Sequence, residues 1–165
     1  MRFVRRWIVL AAMALLLGAC GFRLAREVVL PGDMRQLQVQ TPDAFGVLQT
    51  ELERALSRSG AVLDGGAGSA TLLVSQAELT TRPLSIGPDG RVQEFALVYQ
   101  VSFSLLDAQG QSRISEESLE LQRDYRFDAG QTLGSPAEEA LVREELERQM
   151  AAAVMRRLDA YFRGG

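Results

Sequence analysis

The chain has no histidine, no lysine and a single cysteine, Cys20. Without histidine it lacks the side chain most often used as a general base and as a transition-metal ligand. Without lysine, serine–lysine chemistry is excluded. One cysteine forms no internal disulfide, so the folded domain must be held by its core. Apolar length is also short. The run from Trp7 to Leu17 covers about 11 residues, against the roughly 20 that a membrane span needs. What remains for catalysis is carboxylate chemistry.

Residues that are present around that run have a clear order. Arg2, Arg5 and Arg6 precede it and small residues close it, which is the pattern of a secretory signal over residues 1–19. Leu17-Gly18-Ala19-Cys20 resembles the bacterial lipobox. The resemblance implies that Cys20 becomes the new N-terminus and carries a thioether-linked diacylglycerol and an amide-linked acyl chain. Two or more chains anchor a protein stably where one does not. An ordinary secreted protein with a stray cysteine is the plainer alternative. Gly21 follows the cysteine. In enterobacterial lipoproteins an aspartate there favours the inner membrane, so its absence points to the outer one. No other cofactor is implied.

Removing residues 1–19 from the 165 leaves 146, enough for one domain with a substantial core. The leader takes three of the 18 basic residues and none of the 21 acidic ones, leaving a net charge near −6. That argues against a nucleic-acid partner and requires any anion site to be a local arginine cluster. Residues 20–34, with Pro31-Gly32-Asp33, read as a lipidated tether, and 35–163 as the domain.

Leu37 and Val39 alternate with glutamines as a short strand. Thr41-Pro42 reads as a helix cap with proline at the first helical position. Phe45, Leu48, Leu52, Ala55 and Leu56 then share one face up to Gly60. Thr71 to Thr81 reads as a strand of ambiguous phase, and Pro83, Gly87, Pro88 and Gly90 as a long turn. From Val92 to Leu106, Phe95, Leu97, Tyr99, Val101, Phe103 and Leu105 alternate with mostly polar residues. One face should therefore meet a core and the other lie largely in water. Asp107-Ala108-Gln109-Gly110 is a hairpin turn before a fourth strand, Arg113 to Phe127. Ser135-Pro136-Ala137-Glu138 combines a capping box with an N-terminal proline. It opens a helix to about Phe162 with Leu141, Val142, Leu146, Met150, Val154 and Leu158 in its apolar stripe. The order β-α-β-β-β-α predicts an α+β two-layer sandwich, a four-stranded mixed sheet with two helices on one face.

Three kinds of site have candidates in the sequence. Glu116, Glu117, Glu120 and Asp124 crowd one strand, where a carboxylate pair is conceivable but a solvated strand face is the plainer explanation. Gly66-Ala67-Gly68 lacks the spacing of a phosphate loop. Arg82 and Arg91 flank the turn between the second and third strands, and Arg143 lies early in the last helix. Guanidinium groups from two or three of these would suit phosphates if they converged. The alternatives are solvent-facing turn arginines and, for Arg143, an i,i+4 pair with Glu139.

Several segments together resemble the LptE family of outer-membrane lipopolysaccharide-assembly lipoproteins. They are Ala19-Cys20-Gly21-Phe22-Arg23-Leu24, Pro31, Gly87-Pro88-Asp89-Gly90 ahead of Val92-Gln93-Glu94-Phe95, Arg123-Asp124-Tyr125-Arg126-Phe127, the stretch Glu138 to Leu146, and Met155-Arg156-Arg157-Leu158. The resemblance implies a non-enzymatic protein that plugs the LptD β-barrel and supports its assembly and lipopolysaccharide transport. Its lipopolysaccharide-binding residues would be Arg143, Arg91 and Arg82, although Gly87-Pro88-Asp89 lacks a basic residue at the tip. Two other readings stay open. One is an auxiliary lipoprotein of a lipid-transport ABC system, which requires an internal apolar cavity. The other is an envelope hydrolase with converging carboxylates.

Overall fold

A computed structural model describes residues 28, 30–66, 68–88, 90, 92–126 and 135–164. Its elements are β1 (Leu37–Gln40), α1 (Val47–Arg58), β2 (Ala70–Ile86), β3 (Val92–Leu106), β4 (Ser112–Arg126) and α2 (Ser135–Gly164). A turn of 3-10 helix, Gly32–Met34, precedes β1. The sheet order is β1-β2-β3-β4, with β1 parallel to β2 and the other pairs antiparallel. This is the expected mixed sheet in the expected element order. Both helices run back from the end of a strand, pack against each other and share one core with one face of the sheet.

Spacing explains the packing. Leu48, Leu52 and Leu56 put one stripe of α1 inside, and Leu146, Met150, Val154 and Leu158 do the same for α2. The odd-numbered residues of β3, Leu97 to Leu105, meet them from the sheet. Val28, Leu30 and Met34, ahead of the first strand, are also buried in this core. Gln49 is the buried polar exception on α1. It donates to the Val39 carbonyl at 3.1 Å and accepts from the Thr41 hydroxyl at 2.9 Å, tying α1 to β1.

Four local expectations change. Helix α1 begins at Val47, not at Pro42, and Phe45 is 98 % exposed. The cause is Asp43, whose carboxylate accepts from the Phe45 N–H at 3.1 Å and whose carbonyl accepts from the Gly46 N–H, also at 3.1 Å. This Asx-type turn takes the backbone away from helix. Strand β2 continues to Ile86 and passes through Pro83, because a register shift there and an edge position tolerate a residue with no N–H to give. The ambiguous phase of β2 has a similar origin. A shift between Val74 and Gln76 moves the core-facing set from Leu72 and Val74 to Ala77 and Leu79. Finally, Leu141 is 65 % exposed. It lies beside the Val142–Leu146–Met150 stripe, on the part of α2 ahead of Glu147. At 30 residues α2 is far longer than the 12-residue α1, so α1 can cover only part of it.

Candidate functional site

Among the described residues, no helix packs on the second face of the sheet. Cross-strand pairs share a face, so the register gives rows across β2, β3 and β4. These are Arg82–Ala96–Asp124, Thr80–Val98–Gln122, Glu78–Gln100–Glu120 and Gln76–Ser102–Ser118. The even-numbered side of β3 was expected largely in water, yet Ala96 is 1 % and Val98 3 % exposed. They are small residues on an interior strand, flanked by Arg82 and Asp124 and by Thr80 and Gln122 on the neighbouring strands. Hydrogen bonds tie the surface together. The hydroxyls of Ser102 and Ser118 lie 2.8 Å apart, the Gln76 amide donates to Glu78 at 3.0 Å, the Gln122 amide to Asp124 at 2.8 Å, and the Ser85 hydroxyl to Glu94 at 3.0 Å.

The crowded carboxylates of β4 divide between the two sides of the sheet. Glu116, Glu120 and Asp124 belong to the open face, where the Ser75 hydroxyl donates to Glu116. The register shift ahead of Glu117 turns that residue towards the helices, where Arg157 grips it with two N–H donors, one at 3.1 Å. Among the described residues no group of three or more acidic, cysteine or histidine residues is placed to hold a metal ion.

Of the four residues expected to carry function, two are described. Cys20 and Arg91 lie outside the described residues. Arg82 is exposed on the open face, flanking Ala96 opposite Asp124. Arg143 is exposed on α2, on the other side of the sheet, with a guanidinium nitrogen 3.7 Å from Glu139. Arg82 and Arg143 therefore do not converge on one ligand. Glu139 instead links two groups, because the Tyr125 hydroxyl also donates to it, at 3.5 Å.

Titratable groups on the helix side of the sheet feel burial most. The Tyr99 phenol is pushed up to about 12, chiefly by burial and further by Glu147 and Asp43. Burial likewise raises Tyr125, with Glu139 adding to it. The Glu147 carboxyl is raised by burial against the opposing pull of Arg143. Glu145, at the surface, is held below the usual carboxylate range by hydrogen bonds from Gln149 and Arg148. The sequence offered no signal for the Tyr99–Glu147–Asp43 grouping, since its members lie on three separate elements.

At the end of the molecule that holds the C-terminus of α2, an open cleft is lined by Pro31, Arg113, Ala160, Tyr161, Phe162 and Gly164. Among the described residues no helix is long and apolar enough to cross a membrane.

Among the described residues the body has two layers, with both helices on one side of the sheet, an α+β architecture shared with solved bacterial lipoproteins. The solution structure of an uncharacterized lipoprotein B from Nitrosomonas europaea superposes with a TM-score of 0.72 at 30 % identity, covering 88 % of this chain and 94 % of that one. The profile of the LptE family, described as lipopolysaccharide-assembly, matches residues 34–158, and the chain belongs to that family. Proteins called LPS-assembly lipoprotein LptE are similar along most of its length. That of Photorhabdus laumondii is 22 % identical over 153 residues, and that of Pectobacterium atrosepticum 25 % over 154. In both cases 92 % of this chain and 83 % of the relative are covered.

Proposed function

We propose that this LptE-family chain is an outer-membrane lipoprotein, held by lipid on Cys20, that occupies the lumen of an LptD-type barrel. There it supports barrel assembly and the passage of lipopolysaccharide to the outer leaflet, without catalysing a reaction. The observation that carries this reading is a filled body under a polar surface. Leu52, Leu56, Phe103, Leu146 and Met150 are fully buried between helices and sheet, where a lipid carrier would keep an apolar groove. A body of this kind is suited to displace water from a polar barrel interior. Arg143, and less directly Arg82 and Arg91, are the proposed contacts for lipopolysaccharide phosphates.

The test is a mild-detergent pull-down from native membranes with a tag after Gly165. The expected result is a stoichiometric large outer-membrane barrel of the LptD type. Inner-membrane ABC components, or the lipoprotein alone with bound phospholipid, would overturn the plug reading in favour of lipid transport.

A further inference from the structure

We infer that the open face of β2, β3 and β4 is the surface that lies against the partner barrel, and that the barrel wall facing it is basic. This rests on the plug reading above and goes further by assigning a face and a partner chemistry.

The first argument is what the face lacks. Its four central rows hold no large apolar side chain, the two aliphatic residues among them, Ala96 and Val98, are buried, and the exposed Leu84 and Ile86 of β2 lie beyond these rows, at the hairpin end. These central rows gain little from acyl chains or from an apolar protein patch, whereas barrel interiors are polar. The face is also large enough to be a principal contact, since the 15 residues of β3 extend about 50 Å at the usual strand rise.

The second argument is the sign of its charge. Glu78, Glu116, Glu120 and Asp124 are exposed there against Arg82 alone among the described charges of the four rows and the adjoining Glu116. Glu78 and Glu120 flank Gln100 from both sides in the same row. A face of this sign repels lipopolysaccharide phosphates, anionic headgroups and a second copy of itself. It is complementary to arginines or lysines on a polar wall, and like-charge contact across such an interface is strongly disfavoured. Arginine forks in particular match exposed carboxylates. The acidic balance that argued against nucleic acid thus has a location; of the proposed lipopolysaccharide contacts, Arg143 lies away from it on the helix side and Arg82 is its one described cation.

The experiment is site-specific photocrosslinking in cells, with the reactive side chain at Gln100 or Gln122 on the open face and at exposed Ala152 on α2 as the comparison. It is combined with pull-down of Glu78→Arg/Glu120→Arg/Asp124→Arg and of Glu78→Gln/Glu120→Gln/Asp124→Asn, each checked for folding by circular dichroism. Adducts with the barrel are expected from Gln100 and Gln122 and not from Ala152. The charge-reversed protein should recover about tenfold less barrel, and the neutral variant should lose less. Recovery of the barrel with adducts from Ala152 alone, or with no effect of folded charge reversal, overturns the assigned face and leaves the plug reading standing. No barrel with the unmodified protein overturns the plug reading, and the assigned face with it.

Discussion

Tyr125 stacks on Phe95 across the β3–β4 pair, ring centroids 5.6 Å apart and planes 20° from parallel, and its hydroxyl reaches Glu139 of α2. Ring and hydroxyl should separate on mutation. Tyr125→Phe removes a long, weak hydrogen bond and should cost under about 0.5 kcal/mol. Tyr125→Ala removes a buried ring and its stack and should cost about 3 kcal/mol. Urea denaturation midpoints of the two variants check this; equal losses would contradict it.

Tyr99 gives a pH signature in alkali. Its phenol is raised to about 12 in the folded protein from the ordinary 10.0. The folded state therefore keeps the proton longer than the unfolded chain does. This contribution to stability is complete below pH 10 and is lost as the pH rises from 10 to about 12. Melting temperatures over that range should fall in the wild type and fall less steeply in Tyr99→Phe.

Glu147 gives the acidic counterpart. Its carboxyl is raised above 4.5, so the protonated form is favoured by folding, and the benefit fades as pH rises through the raised value. Glu147→Gln should be more stable than wild type at pH 7, and the difference should shrink towards pH 3. Thermal melts at the two pH values test the sign.

Arg143→Glu places a fourth acid beside Glu139, Glu144 and Glu147. It should leave the fold intact, because the side chain is exposed and its contact with Glu139 is long at 3.7 Å. Lipopolysaccharide binding by the purified soluble domain should drop. Unchanged affinity in a folded variant would reduce Arg143 to its helical pairing.

Cys20→Ala should release the protein into the soluble periplasmic fraction when the barrel is absent. Continued sedimentation with outer membranes under that condition would contradict lipid anchoring.

Much of the fold was legible because local rules and tertiary packing agreed. The alternation of Phe95 to Leu105 gave the central strand. Asp107 gave its turn, where its carboxylate accepts from the N–H groups of Gln109 and Gln111 and Gly110 adopts a positive φ of 76°. The stripe Leu146–Met150–Val154–Leu158 gave the long helix. What escaped were breaks in period. The register shift at Ser75 scrambled β2, and the Asp43 turn cancelled a well-formed cap at Thr41-Pro42. Charges on separate strands were harder still. That Arg82 and Arg143 lie on opposite sides of the sheet, and that Glu117 parts company with Glu116, depends on registers that composition does not reveal.

Strand β1 pairs with residues 33 positions along the chain, as in the Gln38–Thr71 hydrogen bond at 2.9 Å. The two hairpins instead close between partners six residues apart, Ile86 with Val92 and Leu106 with Ser112. Loop entropy favours the local closures. The β2–β3–β4 meander is therefore expected to form first and β1 to dock afterwards. Strand β1, the first strand along the chain, has to wait for a partner that is synthesised after it.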